Sequence, residues 1–451
     1  MTSRNFARVG GLALTTALLA GVAAPAMAGS FYVQEQSTRA QGRANAGVGA
    51  DKGVQSLWWN PAAIAGTQRE VYLGMHGLIL DSDVDNRGSS LTYNIPTPGG
   101  VVSRTAPVNG DPHVHEVVES GIVPNFAVSM PIGDRFNVGL AVQAPYNFTT
   151  KYEPTDFARY DALTSELRSA NVSLVAAMTV TDWLDIGAGF DAQYAKATLS
   201  SALPNVSAAV LSPTFVLSPS TDGRNQLEGD GWDYGWNAGA QMHFGKLDLG
   251  LSYRSKIEHE LEGSVNISGL NGAILAANPN ANVSADGGAS FTTPWYATVS
   301  ARYAVNDRLT LNAQVNQIGW SEFDAIRVAY TGGGSTIVQD YDDVTTGAIG
   351  FDYKIDPSMT VRAGLGYDPT PTPDDHRTAR IPDGDRWLYT AGVSKTVGSM
   401  TFDGAVTYID IATAQINDTR DVYANGLVIS NLRGEAQGSG VGFSMGATWA
   451  F

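Results

Sequence analysis

Between Gly231 and Leu261 the chain reads GWDYGWNAGAQMHFGKLDLGLSYRSKIEHEL, and every second residue belongs to one of two lists. Trp232, Tyr234, Trp236, Ala238, Ala240, Met242 and Phe244 are apolar, while Asp233, Gly235, Asn237, Gly239, Gln241 and His243 are small or polar. After Gly245-Lys246 the alternation resumes with Leu247, Leu249, Leu251, Tyr253 and Ile257. A period of two means extended strand, since successive side chains point to opposite faces. A two-residue break containing glycine means a hairpin. Each apolar list runs longer than a soluble strand needs, with aromatics at its ends and small aliphatics between. That is the layout of a membrane-spanning barrel strand, with aromatic girdles, a lipid-facing aliphatic band and a polar lumen.

Similar runs recur along the chain. Strands are expected near 70–80, 121–131, 136–143, 166–180, 183–199, 231–244, 247–261, 289–304, 309–323, 344–353, 359–367, 386–396, 400–411 and 438–451. Short turns alternate with long loops, as in bacterial outer-membrane barrels. The expected fold is all-β: a transmembrane antiparallel β-barrel of about fourteen strands. Val441, Phe443, Met445, Ala447, Trp449 and Phe451 end the chain in alternation, and a terminal aromatic resembles the signal read by barrel insertion machinery.

Composition narrows the partners. A formal charge of −16 argues against nucleic acid, whose phosphates need a basic surface. With no cysteine there are neither disulfides nor thiolate metal sites. Residues 1–28 read as a secretory signal peptide, with Arg4 and Arg8, an apolar stretch and Ala26-Met27-Ala28 as the cleavage site; a membrane anchor is the other reading. No later stretch has about 20 consecutive apolar residues, so the expected destination of the strands is the outer membrane of a Gram-negative cell.

Residues 29–66 show little alternation and precede the barrel proper, residues 67–451. They form either a free tail or a plug folded into the lumen. Trp58-Trp59 followed by Asn60-Pro61-Ala62 favours the plug, because a free tail has no use for two indoles beside a turn.

In this setting the chain resembles the FadL-type long-chain fatty acid and hydrocarbon transporters. The resemblance rests on Phe31, Asn60-Pro61-Ala62, Ala144-Pro145-Tyr146-Asn147, Gly235–Gly239, Tyr253-Arg254-Ser255, Trp320–Phe323 and Ile381–Trp387, in that order along the chain. It implies a hatch inside a fourteen-stranded barrel, an apolar ligand pocket and an inward kink in the third strand that opens the wall sideways at Pro145, Tyr146 and Asn147. Proline suits a kink, having no N–H for the ladder. Where the family can present a basic residue after the fifth strand this chain has Ser200-Ser201, leaving Lys196 and Arg327 as the cations expected to meet a carboxylate.

Two long loops carry apolar segments. Leu203, Val206 and Val210 fall at helical spacing and are followed by Phe215 and Leu217; Leu270, Ile274 and Leu275 form the second set. Exposed apolar patches mark binding surfaces, so these loops are expected to form an entrance groove, or else to pack together over the barrel mouth. Catalytic motifs are absent, and an enzyme is not expected. His113 and His115 lack an evident third ligand, and Asp81, Asp83 and Asp85 lack the closing Glu of a calcium loop, so neither a metal nor a cofactor is expected. The expected partners are a long-chain fatty acid or another hydrophobic small molecule, membrane lipid and lipopolysaccharide, around a monomer. A general or aromatic-hydrocarbon diffusion porin is the alternative.

Overall fold

The computed structural model describes residues 30–212 and 214–451; the expected signal peptide lies outside them. Fourteen antiparallel strands form the wall: β1 (Glu70–Asn86), β2 (Gly121–Ile132), β3 (Phe136–Gln143, resuming at Asn147–Lys151), β4 (Thr164–Thr181), β5 (Leu184–Leu203), β6 (Gly223–Phe244) and β7 (Leu247–Arg254 and Ile257–Ser268). The second half comprises β8 (Val283–Thr293 and Trp295–Ala304), β9 (Leu309–Gly319 and Ala325–Tyr330), β10 (Val344–Asp356), β11 (Met359–Asp368), β12 (Arg386–Val397), β13 (Met400–Ile416) and β14 (Gly434–Ala450). Each pairs with its neighbour, and β1 pairs with β14 from Glu70↔Ala450 to Asn86↔Gly434, so the sheet has no free edge.

The alternation decides which face meets lipid. Trp232, Tyr234, Trp236 and Phe244 are exposed on the outside of β6, whereas Asn237 and Gln241 are buried on its inner side. Outward aromatics stack across neighbouring strands at both rims, as Trp183–Phe244 and Phe190–Tyr234 do. Glycine carries the tight turns: Gly245 and Gly398 adopt φ of 66° and 62°. Several strands outrun their expected ends because the sheet extends beyond the bilayer. Trp320–Glu322 is a helical turn that interrupts β9 rather than closing it. Parts of the long loops expected after β1 and β13 form a separate four-stranded sheet over the mouth (Ser90–Thr97, Gly100–Pro107, Thr419–Asp421 and Val428–Asn431).

Residues 30–66 occupy the bore as four short helical turns, Thr38–Gln41, Val48–Ala50, Val54–Ser56 and Pro61–Ile64. Their contacts go to the inner wall on every side. Gln41 donates to Thr407 (3.1 Å), the Gly49 N–H to Ser300 (3.1 Å), Gln55 to Asp403 (2.7 Å) and the Gly66 N–H to Asn137 (3.1 Å). Lys52 pairs with Asp185 at 2.7 Å and Arg43 with Asp352 at 3.2 Å. Glycines in the wall allow this approach: a Cβ on Gly187 would lie 2.5 Å from Pro61, and one on Gly392 2.7 Å from Gly42. Cβ atoms on Gly239, Gly250 and Gly364 would fall onto Asn60, Gly49 and Arg43.

Candidate functional site

Asn60-Pro61-Ala62 is a structural clasp. Proline starts the turn, and the Asn60 side chain caps it by accepting from the Ala62 N–H at 2.9 Å. The Asn60 amide then donates to Gly49 O (2.7 Å) and Ala240 O (3.0 Å), joining two hatch turns to β6. Trp58 and Trp59 are buried beside it. Arg254 lies 3.9 Å above the Trp58 ring and donates to the Trp58 carbonyl at 2.8 Å, while the indole N–H donates to the Tyr32 hydroxyl at 2.8 Å.

At the other end of the segment the wall itself is incomplete. β3 pairs with β2 up to Phe126↔Val142 and regains it only near Thr149, whose carbonyl accepts from the Glu119 N–H (3.0 Å). Between them Ala144-Pro145-Tyr146 breaks the strand, and its polar groups turn to the N-terminal segment. The Val33 N–H donates to Pro145 O at 2.7 Å, the Asn147 N–H to Phe31 O at 3.1 Å, and Tyr32 bridges Tyr146. The missing proline N–H therefore costs no ladder bond, and residues 31–33 serve as a substitute strand along the kink. Asn147 secures the interruption, its side chain donating to Ala144 O (2.9 Å) and accepting from the Ser169 N–H (3.0 Å).

Phe31, 1% exposed, stands in a cage of rings, with centroids of Trp320, Phe323, Tyr146 and Phe148 at 4.9, 5.0, 5.8 and 5.8 Å. On its open side lies a narrow apolar slot, walled chiefly by Phe148, Leu167, Leu199, Phe291, Phe323 and Ile326. Residues of β3, β4, β5, β8 and β9 thus converge on Phe31. A separate buried apolar chain runs from the loop residues Val206, Val210, Leu270 and Ile274 to Val33, next to Pro145.

The loop segments depart from the expected helical spacing and follow the second of the two expected arrangements, packing over the mouth. Leu203 ends β5, Val206 bridges Gly272 and Val210 belongs to a short turn (Ala208–Leu211), so the first segment is not a helix. Leu203, Val206, Val210, Leu217, Leu270 and Ile274 are all buried, Phe215 and Leu275 half-buried; they pack together instead of lining an open groove, because contact with each other removes them from water. Val216, 64% exposed, is the main apolar side chain left outside.

The two expected cations are also misplaced. Ala197 and Leu199 point inward on β5, so Lys196 faces outward and is exposed. Ile326 and Val328 point inward on β9, so Arg327 faces outward, held by Asp324 at 2.5 Å. Neither reaches the slot. His113 and His115 lie outside as well, each ring paired with one carboxylate, Asp85 (2.8 Å) and Asp83 (2.7 Å).

Two buried cations near this region come from the β11–β12 loop and the start of β12. Arg380, next in the chain to the slot residue Ile381, is buried and donates to Ser165 at 3.1 Å and to the Asp161 carbonyl; its Nε makes no hydrogen bond and lies 4.0 Å from the Asp161 carboxylate. Burial pushes its pKa down to about 10. Arg386 bonds Asp368 at 2.7 Å, yet its Nε and Nη1 are unpaired. Glu35 is buried in the same region; burial raises its carboxyl above the ordinary value, against the attraction of Arg386. A buried guanidinium with spare donors accepts a carboxylate well. Arg386 stood within a quoted motif, but its neighbours could not reveal an unfilled donor.

The fold and sequence have known relatives. A family described as outer membrane protein transport protein (OMPP1/FadL/TodX) matches residues 19–451. Outer membrane protein P1 of Haemophilus influenzae is 26% identical over 88% of this chain and 89% of its own. The long-chain fatty acid transport protein of Escherichia coli K12 is 24% identical over 93% and 95%. A crystal structure of a Pseudomonas aeruginosa FadL homologue superposes with a TM-score of 0.81 at 26% identity, covering 94% of this chain and all of that one. The toluene transporter TbuX of Ralstonia pickettii, 20% identical, shares the fold with a TM-score of 0.59 over 88% and 94%. The chain therefore belongs to the OMPP1/FadL/TodX family of outer-membrane transport proteins of Gram-negative bacteria, and is a transporter rather than an enzyme.

Proposed function

We propose that this transporter takes up long-chain fatty acids or similar hydrophobic molecules passively, holding the chain in the slot beside Phe31 and releasing it sideways at the β2–β3 gap. The observation that carries the reading is the shared use of residues 31–33, which both close the slot and fill the gap. A ligand that displaces Phe31 also withdraws the two backbone bonds to Pro145 and Asn147, so occupancy and opening are mechanically the same event. Each buried CH₂ contributes about 0.8 kcal/mol, enough for a long tail to bind without polar help and to offset the displaced ring contacts. Relatives named for fatty-acid transport support this cargo class.

Capture begins at the loop cap, whose apolar core reaches down to Val33. Arg380, not Lys196 or Arg327, receives the carboxylate: it is buried, it bonds Ser165 beside the slot residues Glu166 and Leu167, and its Nε makes no hydrogen bond, so the ligand competes with Asp161, 4.0 Å away. Residues 29–66 act as the hatch of the 67–451 barrel after removal of the 1–28 signal peptide. One copy holds every part, so the working unit is a monomer, with lipid and lipopolysaccharide around its outer face. The test is binding of a fatty acid and of a neutral alkane of equal length to the purified protein. Arg380→Gln is expected to weaken the acid about 10- to 100-fold and leave the alkane unchanged, in line with the loss of a charge-assisted bond. Swelling of proteoliposomes in sugars at porin rates, with no hydrophobe binding, would overturn the reading.

A further inference from the structure

At the periplasmic end of the bore, six cations surround one recess of about 170 Å³ between the N-terminal segment and strands β8–β11. Arg39 and Arg43 come from the segment; Arg302, Arg308, Lys354 and Arg362 come from the wall. Only two carboxylates line it, Asp51 and Asp352, and both are saturated. One oxygen of Asp51 receives Arg43 (2.6 Å), Arg39 (3.2 Å) and Arg302 (3.5 Å). Asp352 receives Arg362 (2.5 Å), Arg43 (3.2 Å), Arg302 (3.3 Å) and the Asn312 amide (2.9 Å). Among the described residues, Arg308 and Lys354 have no carboxylate within reach, and the buried Nη1 of Arg302 makes no hydrogen bond, only the 3.5 Å ion pair to Asp51. Glu70 and Asp403, behind Arg39, are engaged by Val54 N–H and by Gln55.

A concentration of positive charge in a chain of net charge −16 is not a by-product of composition. Like charges held together in a partly dry recess repel, and a bound anion removes that repulsion. The lining is polar and carries no greasy side chain apart from the guanidinium stems, so the occupant is hydrophilic at this point. We propose that the recess is a binding site for a phosphate-class oxyanion entering from the periplasm. Such an ion touches Arg39 and Arg43 on one side and wall cations on the other, so it ties the hatch to the barrel and favours the seated state by mass action. The site lies apart from the apolar slot and stands whether or not the cargo is a fatty acid.

The test uses the intact protein in nanodiscs, titrated at constant ionic strength with inorganic phosphate against chloride, and separately in discs containing phosphatidylglycerol or only phosphatidylcholine. The readouts are calorimetric binding and amide exchange of residues 39–51. Specific binding of inorganic phosphate identifies a soluble ion, and slowed exchange only with phosphatidylglycerol identifies a lipid head group; either supports the site. The doubly substituted Arg308→Gln/Lys354→Gln protein, altered at two exposed side chains outside the Asp51–Asp352 network, is expected to lose about tenfold or more in affinity while binding hydrophobes normally. Equal responses to phosphate and chloride together with no effect of phosphatidylglycerol, or unchanged affinity in the double variant, would overturn the proposal.

Discussion

The two ends of the hatch are held by different physics. Its body, from Gly42 to Gly66, lies backbone against backbone on wall glycines and is pinned by ion pairs to Asp185 and Asp352. Its leading end, residues 31–33, has two main-chain bonds to β3 and a cage of aromatic rings. Close packing around glycines tolerates almost no displacement, whereas ring contacts are non-directional and can be exchanged for ligand contacts. The contrast teaches that, on the proposed reading, the hatch need not leave the bore as a unit: an anchored body with an exchangeable tip would be enough to open a path.

The largest effect should come from attacking the body. Gly250→Ala places a Cβ on the Gly49 carbonyl, and a backbone atom cannot rotate away. The expected outcome is an unseated body, costing more than about 3 kcal/mol because the clash is with backbone, seen as faster amide exchange across residues 49–62 and as ion leakage in planar bilayers. Next, Phe31→Ala removes the tip's anchor, with an expected local loss of about 3 kcal/mol. Exchange should quicken at residues 31–34 alone; if the body loosens as well, the two ends are one unit and the comparison fails.

Smaller effects sharpen the distinction. Glu35 sits beside the tip with a raised carboxyl pKa, so its contribution to seating is fully present below the ordinary glutamate value and is lost as pH rises through the raised one. Acidification from pH 7.5 to 5 is thus expected to protect residues 31–36, after correction for intrinsic exchange rates, and Glu35→Gln to abolish the dependence. Asp51 titrates the opposite way: burial raises it, but Arg302, Arg39 and Arg43 outweigh that and hold it far below the usual range. Its contribution is present above the ordinary aspartate value and lost only in strong acid, so the body should not respond in that window. Smallest of all, Lys196→Ala and Arg327→Ala should alter fatty-acid binding less than about twofold, since neither side chain faces the slot and exposed pairs are worth little.

The wall was legible in the sequence because lipid imposes a period of two that nothing else produces over so many strands. The interruption of β3 was legible too, through one residue that has no N–H. The two outward cations show where reading stopped short: the same period of two assigns Lys196 the opposite face from Ala197, and Arg327 the opposite face from Ile326, yet proximity to a motif outweighed parity. The loop segments left two arrangements open for another reason. Val206 and Ile274 come from segments distant in the chain, and an apolar residue in a loop reads as exposed until its partner is found. Arg380 and the glycine contacts belong to the same class, since an unfilled donor or a missing Cβ acquires meaning only across the bore.

The substitute strand along β3 has a consequence for assembly. Phe31, Tyr32 and Val33 are synthesised before any part of the wall, but the place they fill does not exist until β3 has bent and the rings around β9 stand opposite it. What is made first must be fitted late, as a keystone is, after the strands on both sides of its place are laid.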